Sequence, residues 1–200
     1  RQEYAKQGVY WLDMHSYGEL FTLAKVPIET CADMQGKKMR AEGAWTDFYN
    51  NIGAAGTNVD GGEAYMALSK GVIDTTQWDV SAITGMKLYE VAPYRIMGGG
   101  NDVVPGHILI NKKKWDSLPD DLKKALADAA KDYFDALNDI YMQEMQKVDE
   151  LVKQGKVKLS YLDDACKKRH EEVAYEIWDE IAERDPAAVE AVKLVKEWRK

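Results

Sequence analysis

Cysteine is scarce in this chain, with only Cys31 and Cys166 among 200 residues. The two are far apart and form no metal-ligand spacing. Two buried thiols are the first reading and one long-range disulfide is the alternative, so cysteine use leaves the compartment open. No apolar run approaches the ~20 residues of a membrane span. Positive charge is in deficit: 27 Lys and Arg against 34 Asp and Glu give a net charge of −7. No basic stripe interleaved with aromatics offsets it, which excludes nucleic acid as a partner. No charged-then-apolar leader opens the chain, which reads as a mature protein or a fragment. Internal repeats and low-complexity stretches are absent. So are HExxH and the Gly-x-Ser-x-Gly elbow, and His15, His107 and His170 share no spacing. The run Gly98-Gly99-Gly100-Asn101 lacks the Gly-Lys-Ser/Thr ending of a phosphate loop and reads as a turn.

What is present is ordinary globular material, 46% hydrophobic and 30% charged, enough for one large or two small domains. Val9 to Leu12 reads as a strand, and Thr30 as the N-cap of a short turn ending at Gly36. Lys37 to Ala41 is a second strand. Trp45 to Ile52 is a helix closed by Gly53, and Gly61 to Lys70 is another, stopped by Gly71. Val72-Ile73 reads as a buried strand, Ser81 to Leu88 as a helix and His107 to Asn111 as a strand. This alternation predicts an α/β layer with parallel pairing.

The second half is helical. Ser117-Leu118-Pro119-Asp120 is a start signal, with Ser117 as N-cap. Leu118, Leu122, Leu126, Ala129, Tyr133, Leu137, Tyr141, Met145, Val148 and Val152 then keep helical spacing up to Gly155. At ~1.5 Å per residue that helix is roughly 50 Å long. It must project from the molecule or brace two lobes. Val157 to Leu159 reads as a strand, Asp163 to Glu183 as an amphipathic helix that half-buries His170, and Asp185-Pro186 opens a last helix.

Ligands on such sheets sit beyond the carboxyl ends of strands, and Arg40 and Trp78 both fall at such ends. A guanidinium grips a carboxylate through two parallel charge-assisted bonds. The plain alternative for Arg40 is a surface Arg, and for Trp78 a core Trp. Gln77 offers an amide oxygen. Glu19 and Asp79 are candidate oxygen ligands for a hard cation, or simply solvated carboxylates. No paired base or nucleophile accompanies Arg40, so this pattern points to binding without chemistry.

Several runs occur in order: Pro27-Ile28-Glu29-Thr30, Asp33 to Arg40 (DMQGKKMR), Glu63 to Leu68 (EAYMAL), Gly71 to Asp74 (GVID), Leu88 to Val91 (LYEV) and Leu109 to Pro119 (LINKKKWDSLP). Together they resemble the solute-binding proteins of tripartite ATP-independent periplasmic (TRAP) transporters, the DctP-type family. The resemblance implies an α/β, periplasmic-binding-protein type fold of two lobes, type II-like, with a long lobe-spanning helix. It implies a non-enzymatic, extracytoplasmic protein that delivers a small organic acid to TRAP membrane subunits. Residues 1–76 with 119–160 would form lobe II and the bracing helix, 77–118 the returning segment of lobe I, and 161–200 the C-terminal helices. The family's opening stretch, part of lobe I, has no counterpart here.

By the same resemblance, Arg40 is the arginine that pairs with the ligand carboxylate. Where many members carry Gln-Glu-Asn, this chain has Thr76-Gln77-Trp78, which is similar to the branch for 2-oxo and 2-hydroxy monocarboxylates. In that branch a sodium or calcium ion can bridge the ligand, with Glu19, Gln77 and the Trp78 carbonyl as its ligands here. Asn101 and Asp102 are expected to reach the ligand from the other lobe. Either a monomer or a homodimer fits. The other function classes are a ligand-sensing module and an enzyme acting on a carboxylate in the same cleft.

Overall fold

The structure is a computed structural model that describes residues 1–99 and 103–198. After a short helix α1 (Gln2–Lys6), the chain enters β1 (Val9–Ala24), 16 residues long. The expected strand at 9–12 is therefore only its first quarter. The rest hides behind Gly18, which reads as a turn residue in sequence. Here Gly18 has a φ of +69° within an irregular stretch of the β1 ladder between Ser16 and Glu19. A Cβ at this position would lie 3.1 Å from the Tyr141 ring, so the close approach also favours glycine. The irregularity lets one strand serve two sets of partners.

A 3-10 turn (Cys31–Met34) follows, opened by the expected Thr30 cap, which forms a capping box with Asp33. Then come β2 (Lys38–Arg40), α2 (Ala44–Ile52), β3 (Ala55–Thr57), α3 (Ala64–Lys70), β4 (Thr75–Asp79), α4 (Val80–Thr84) and β5 (Tyr94–Met97). The strand expected at Val72-Ile73 starts three residues too early. Ile73 is fully buried, but the ladder starts at Thr75. The helix expected over 81–88 is the short α4, capped by Asp79, whose Oδ1 accepts from the Ser81 amide at 2.7 Å.

The chain continues with β6 (Val103–Asn111), α5 (Lys112–Ser117), the 34-residue α6 (Asp120–Lys153), β7 (Lys158–Tyr161), α7 (Asp164–Arg184) and α8 (Ala188–Trp198). Ser117 ends α5 and does not cap α6, because its hydroxyl donates back to the Lys114 carbonyl at 2.8 Å. Pro119 precedes α6 instead, its missing N–H costing nothing at a helix start.

The sheet runs β3-β2-β4-β1-β5-β7, with β6 paired only to the first part of β1. The predicted parallel pairing holds for β2 with β3, β2 with β4 and β5 with β7. In the middle, β1 runs antiparallel to both β4 and β5, because it enters from the far side after pairing with β6. The boundary expected at residue 77 falls inside β4. Residues 77–97 carry the end of β4 and all of β5, which share the large sheet with β2, and β6 is the strand that runs back along the first half of β1.

Apolar side chains gather in three cores. One lies under α2 and α7 (Ile28, Met39, Phe48, Tyr49, Val173), and one on the opposite sheet face under α3 and α4 (Phe21, Leu23, Leu68, Ile83). The third joins Leu12, Trp115 and Ala130 beside β6, where Tyr10 stacks on Trp115 at 4.0 Å. The long helix reaches two of them, with Ala130 in the third core and Val148 in the second. It thus braces the two ends of β1, as a helix of about 50 Å can.

Cys31 and Cys166 form a disulfide, which overturns the reading of two free thiols. The loop after β1 and the start of α7 are already aligned by backbone bonds. The Asp163 amide donates to the Glu29 carbonyl at 2.7 Å, and Ser160 Oγ bridges both the amide and the carbonyl of Ile28. These bonds bring the two cysteines together although 135 positions separate them.

Candidate functional site

The strands β2, β3, β4, β5 and β7 all point their carboxyl ends the same way, and β1 enters the large sheet at that edge. Along it, one sheet face carries a row of four side chains in strand order: Arg40 on β2, Trp78 on β4, Phe21 on β1 and Arg95 on β5. Trp78 and Phe21 are register partners. The Arg40 guanidinium lies 4.1 Å from the Trp78 ring centroid, and that of Arg95 lies 3.8 Å from the Phe21 ring. Two desolvated cations thus flank two aromatic faces, an arrangement the ring quadrupoles favour.

Arg40 is seated rather than free at the surface, with 6% of its area exposed. Its Nε donates to the Val59 carbonyl at 2.9 Å and one terminal nitrogen to the Gln77 carbonyl at 3.4 Å. The other terminal nitrogen holds the exposed Glu42 carboxylate at 2.5 Å. Burial lowers its pKa from the ordinary arginine value, while Glu42 and Asp60 act to raise it. It stays a cation. Beside it, Glu42, Asn58 and Asp60 line an open hollow of about 530 Å³.

Trp78 is half-buried, and its ring tip packs on Gly61, where a Cβ would sit only 2.4 Å away. Gly61→Ala should therefore push the indole off Arg40. The expected result is a shifted tryptophan emission and a loss of about 1 kcal/mol of stability, equivalent to one lost cation–π contact. An unchanged emission maximum and urea midpoint would show that the indole keeps its place over Arg40.

Gln77 is placed differently from the expectation. It is the register partner of Thr22, whose hydroxyl hydrogen-bonds the Tyr49 hydroxyl at 2.9 Å on the α2 side of the sheet. Register partners share a face, so the Gln77 side chain points away from Trp78 and only its carbonyl serves the Arg40 seat. Glu19 also has another task. Its Oε1 accepts from Arg95 at 3.1 Å. With Glu19 engaged by Arg95 and the Gln77 amide on the opposite face, the side chains of Glu19 and Gln77 do not converge beside Trp78. Asp79 is occupied as the α4 cap. Asn101 and Asp102 lie outside the described residues.

Three participants were not singled out from the sequence: Arg95, Phe21 and Glu42. Arg95 carried a readable signal, a lone charge inside the apolar strand Tyr94–Met97. Glu19→Gln should leave the buried Arg95 with a weaker acceptor and cost about 1–3 kcal/mol of stability, measured by urea unfolding. A midpoint equal to wild type would mean that the pair contributes nothing. Cys31, Cys166 and His170 also cluster, but the cysteine sulfurs are bonded to each other and offer no thiolate to a metal.

Residues 1–185 match the family model described as bacterial extracellular solute-binding protein, family 7, DctP. The chain belongs to this family. It is 29% identical over 194 residues to the C4-dicarboxylate-binding periplasmic protein DctP of Rhodobacter capsulatus, covering 95% of this chain and 57% of that protein. It is 25% identical over 186 residues to the monocarboxylate 2-oxoacid-binding periplasmic protein of a Nostoc species, covering 88% of this chain and 49% of that one. Among solved structures, a TRAP periplasmic solute-binding protein from Chromohalobacter salexigens with bound (S)-(+)-2-amino-1-propanol superposes with a TM-score of 0.89 at 23% identity. That match covers 99% of this chain and 62% of the other, and it shows the fold alone. This DctP-family chain thus spans about half to two thirds of the length of the proteins it matches. The family and the structural neighbours are described as solute-binding proteins, not enzymes.

Proposed function

We propose that this chain forms the gripping part of an extracytoplasmic TRAP solute-binding protein, and that its solute is a small 2-oxo or 2-hydroxy monocarboxylate passed to the membrane subunits. One observation carries the reading. Arg40 is held in a buried seat by two backbone carbonyls and an indole, and its outer side already holds a carboxylate, that of Glu42. Glu42 is mostly exposed and can swing into water. A solute carboxylate then takes its place on a guanidinium that needs no reorganisation.

Trp78 covers the apolar side of the solute. That surface suits a short-chain monocarboxylate better than a second charge, because Glu42 and Asp60 stand at the mouth and repel a dianion. The positive charge facing Glu19 comes from Arg95, so the reading has no bridging ion. No bond is made or broken. Closure is a population shift toward the state with more solute contacts. A thermal-shift panel of pyruvate, lactate, 2-oxobutyrate and succinate, each with and without chelator, tests it. Stabilisation by the three monocarboxylates, insensitive to chelator, is expected. Stabilisation by succinate alone would replace this solute class, and chelator-sensitive binding would restore the ion.

A further inference from the structure

The two arginines of the row are built alike but partnered differently. Each is buried, each faces an aromatic ring, and each gives a terminal nitrogen to a glutamate. Glu19, the partner of Arg95, has 32% of its side chain exposed and ties β1 to β5. Glu42, the partner of Arg40, has 64% exposed and ties together only residues two positions apart. Among the described residues, Arg40 is the only group that holds the Glu42 carboxylate. The first pair joins strands, and the second is a contact made by one free arm.

The backbone around that arm is fixed. The Ala41 carbonyl accepts from the Thr46 hydroxyl at 3.1 Å, and the Glu42 carbonyl from the Trp45 amide at 3.3 Å. Gly43, at a φ of +58°, turns the chain into α2. Leaving Arg40 therefore takes only side-chain rotations, and the open hollow lined by Glu42, Asn58 and Asp60 gives the arm room. Arg40 does not depend on it, because the Val59 and Gln77 carbonyls and the Trp78 ring still seat the guanidinium. An ion pair with one partner in water adds little to stability. The effect of Glu42 falls instead on what else Arg40 can hold.

We propose that Glu42 is a tethered competitor of the solute, occupying the carboxylate position on Arg40 in the empty protein and so setting the affinity threshold for acids. The inference rests on the reading of Arg40 as the carboxylate grip. A carboxylate two residues away is present at an effective concentration of roughly millimolar or more. An acid that offers only its carboxylate exchanges one such contact for another and gains little. A solute must add contacts, to the Trp78 ring and through closure, to displace the arm. Because the arm must leave for any acid to bind, its removal strengthens every monocarboxylate by the same factor.

The test is titration calorimetry of the whole chain with pyruvate and 2-oxobutyrate, in buffer free of other carboxylates, for wild type, Glu42→Gln and Glu42→Asp. Glu42→Gln should bind both acids about tenfold tighter, by one common factor. Glu42→Asp keeps the charge but is one methylene too short for the contact, so it should show most of that gain. Glu42→Gln no tighter than wild type would overturn the proposal. So would Glu42→Asp at wild-type affinity beside a tighter Glu42→Gln, which would reduce Glu42 to a repelling charge at a distance. Arg40→Ala separates the two levels. If it abolishes binding while both Glu42 variants equal wild type, this inference falls alone. If neither acid binds wild type, or both bind Arg40→Ala as they bind wild type, the grip itself is wrong and this inference falls with it.

Discussion

Replacing Arg40 with alanine should abolish acid binding at millimolar concentrations. On the proposed reading the guanidinium's hold on the solute carboxylate disappears, and truncating one partner of a desolvated charge pair costs about 2–5 kcal/mol, or roughly 30- to 5,000-fold in affinity. The same change strips the Val59 and Gln77 carbonyls of their donors and the Trp78 face of its cation, so the folded state should also lose about 1–3 kcal/mol. Arg40→Lys separates these effects. An ammonium keeps the charge but cannot reach Val59, Gln77 and a ligand fork together, so affinity should fall part of the way. Calorimetry with 2-oxobutyrate, beside urea unfolding, reads both quantities. Binding by Arg40→Ala at wild-type affinity would move the site elsewhere.

Removing the Cys31–Cys166 disulfide should be the most destabilising change outside the site. The bond closes a loop of 135 positions. In chain-entropy accounting a loop of that length contributes about 5 kcal/mol, comparable with the whole stability of many domains. The double variant Cys31→Ser/Cys166→Ser should unfold at much lower urea than wild type, with a lower midpoint and a steeper denaturant slope, because the unfolded chain without the cross-link is more expanded. Reduction of the wild-type protein should reproduce the shift. Equal midpoints for oxidised and reduced protein would show that the Ser160 and Asp163 bonds to the Ile28-Glu29 loop suffice.

The helices were the most legible part of the fold. An unbroken apolar spacing from Leu122 to Val152 marks α6, and Gly53 and Gly71 stop α2 and α3 with positive φ as glycine at a C-cap does. The strands were harder. β3 and β5 are three and four residues long, too short for any periodicity to register. The sequence signal of β1 stops at residue 12 because His15, Gly18 and Glu19 interrupt its pattern, and the strand passes from β6 to β4 between Glu19 and Leu20.

At the site, Arg40 and Trp78 were readable as residues at strand ends, but their contact with each other was not. Gln77 illustrates the reason. Neighbours on a strand face opposite sides of the sheet, so Gln77 and Trp78 cannot both present side chains to one ligand. Arg95 joins the row only through the pairing of β1 with β5, a contact more than seventy positions long in sequence.

The most direct measurement is native mass spectrometry of the purified chain with increasing 2-oxobutyrate, followed by recovery and quantification of the acid. The account predicts one acid bound per chain, no accompanying metal ion, and the acid returned unchanged. Consumption of the acid, or saturation with acid absent from every charge state of the folded protein, would contradict it.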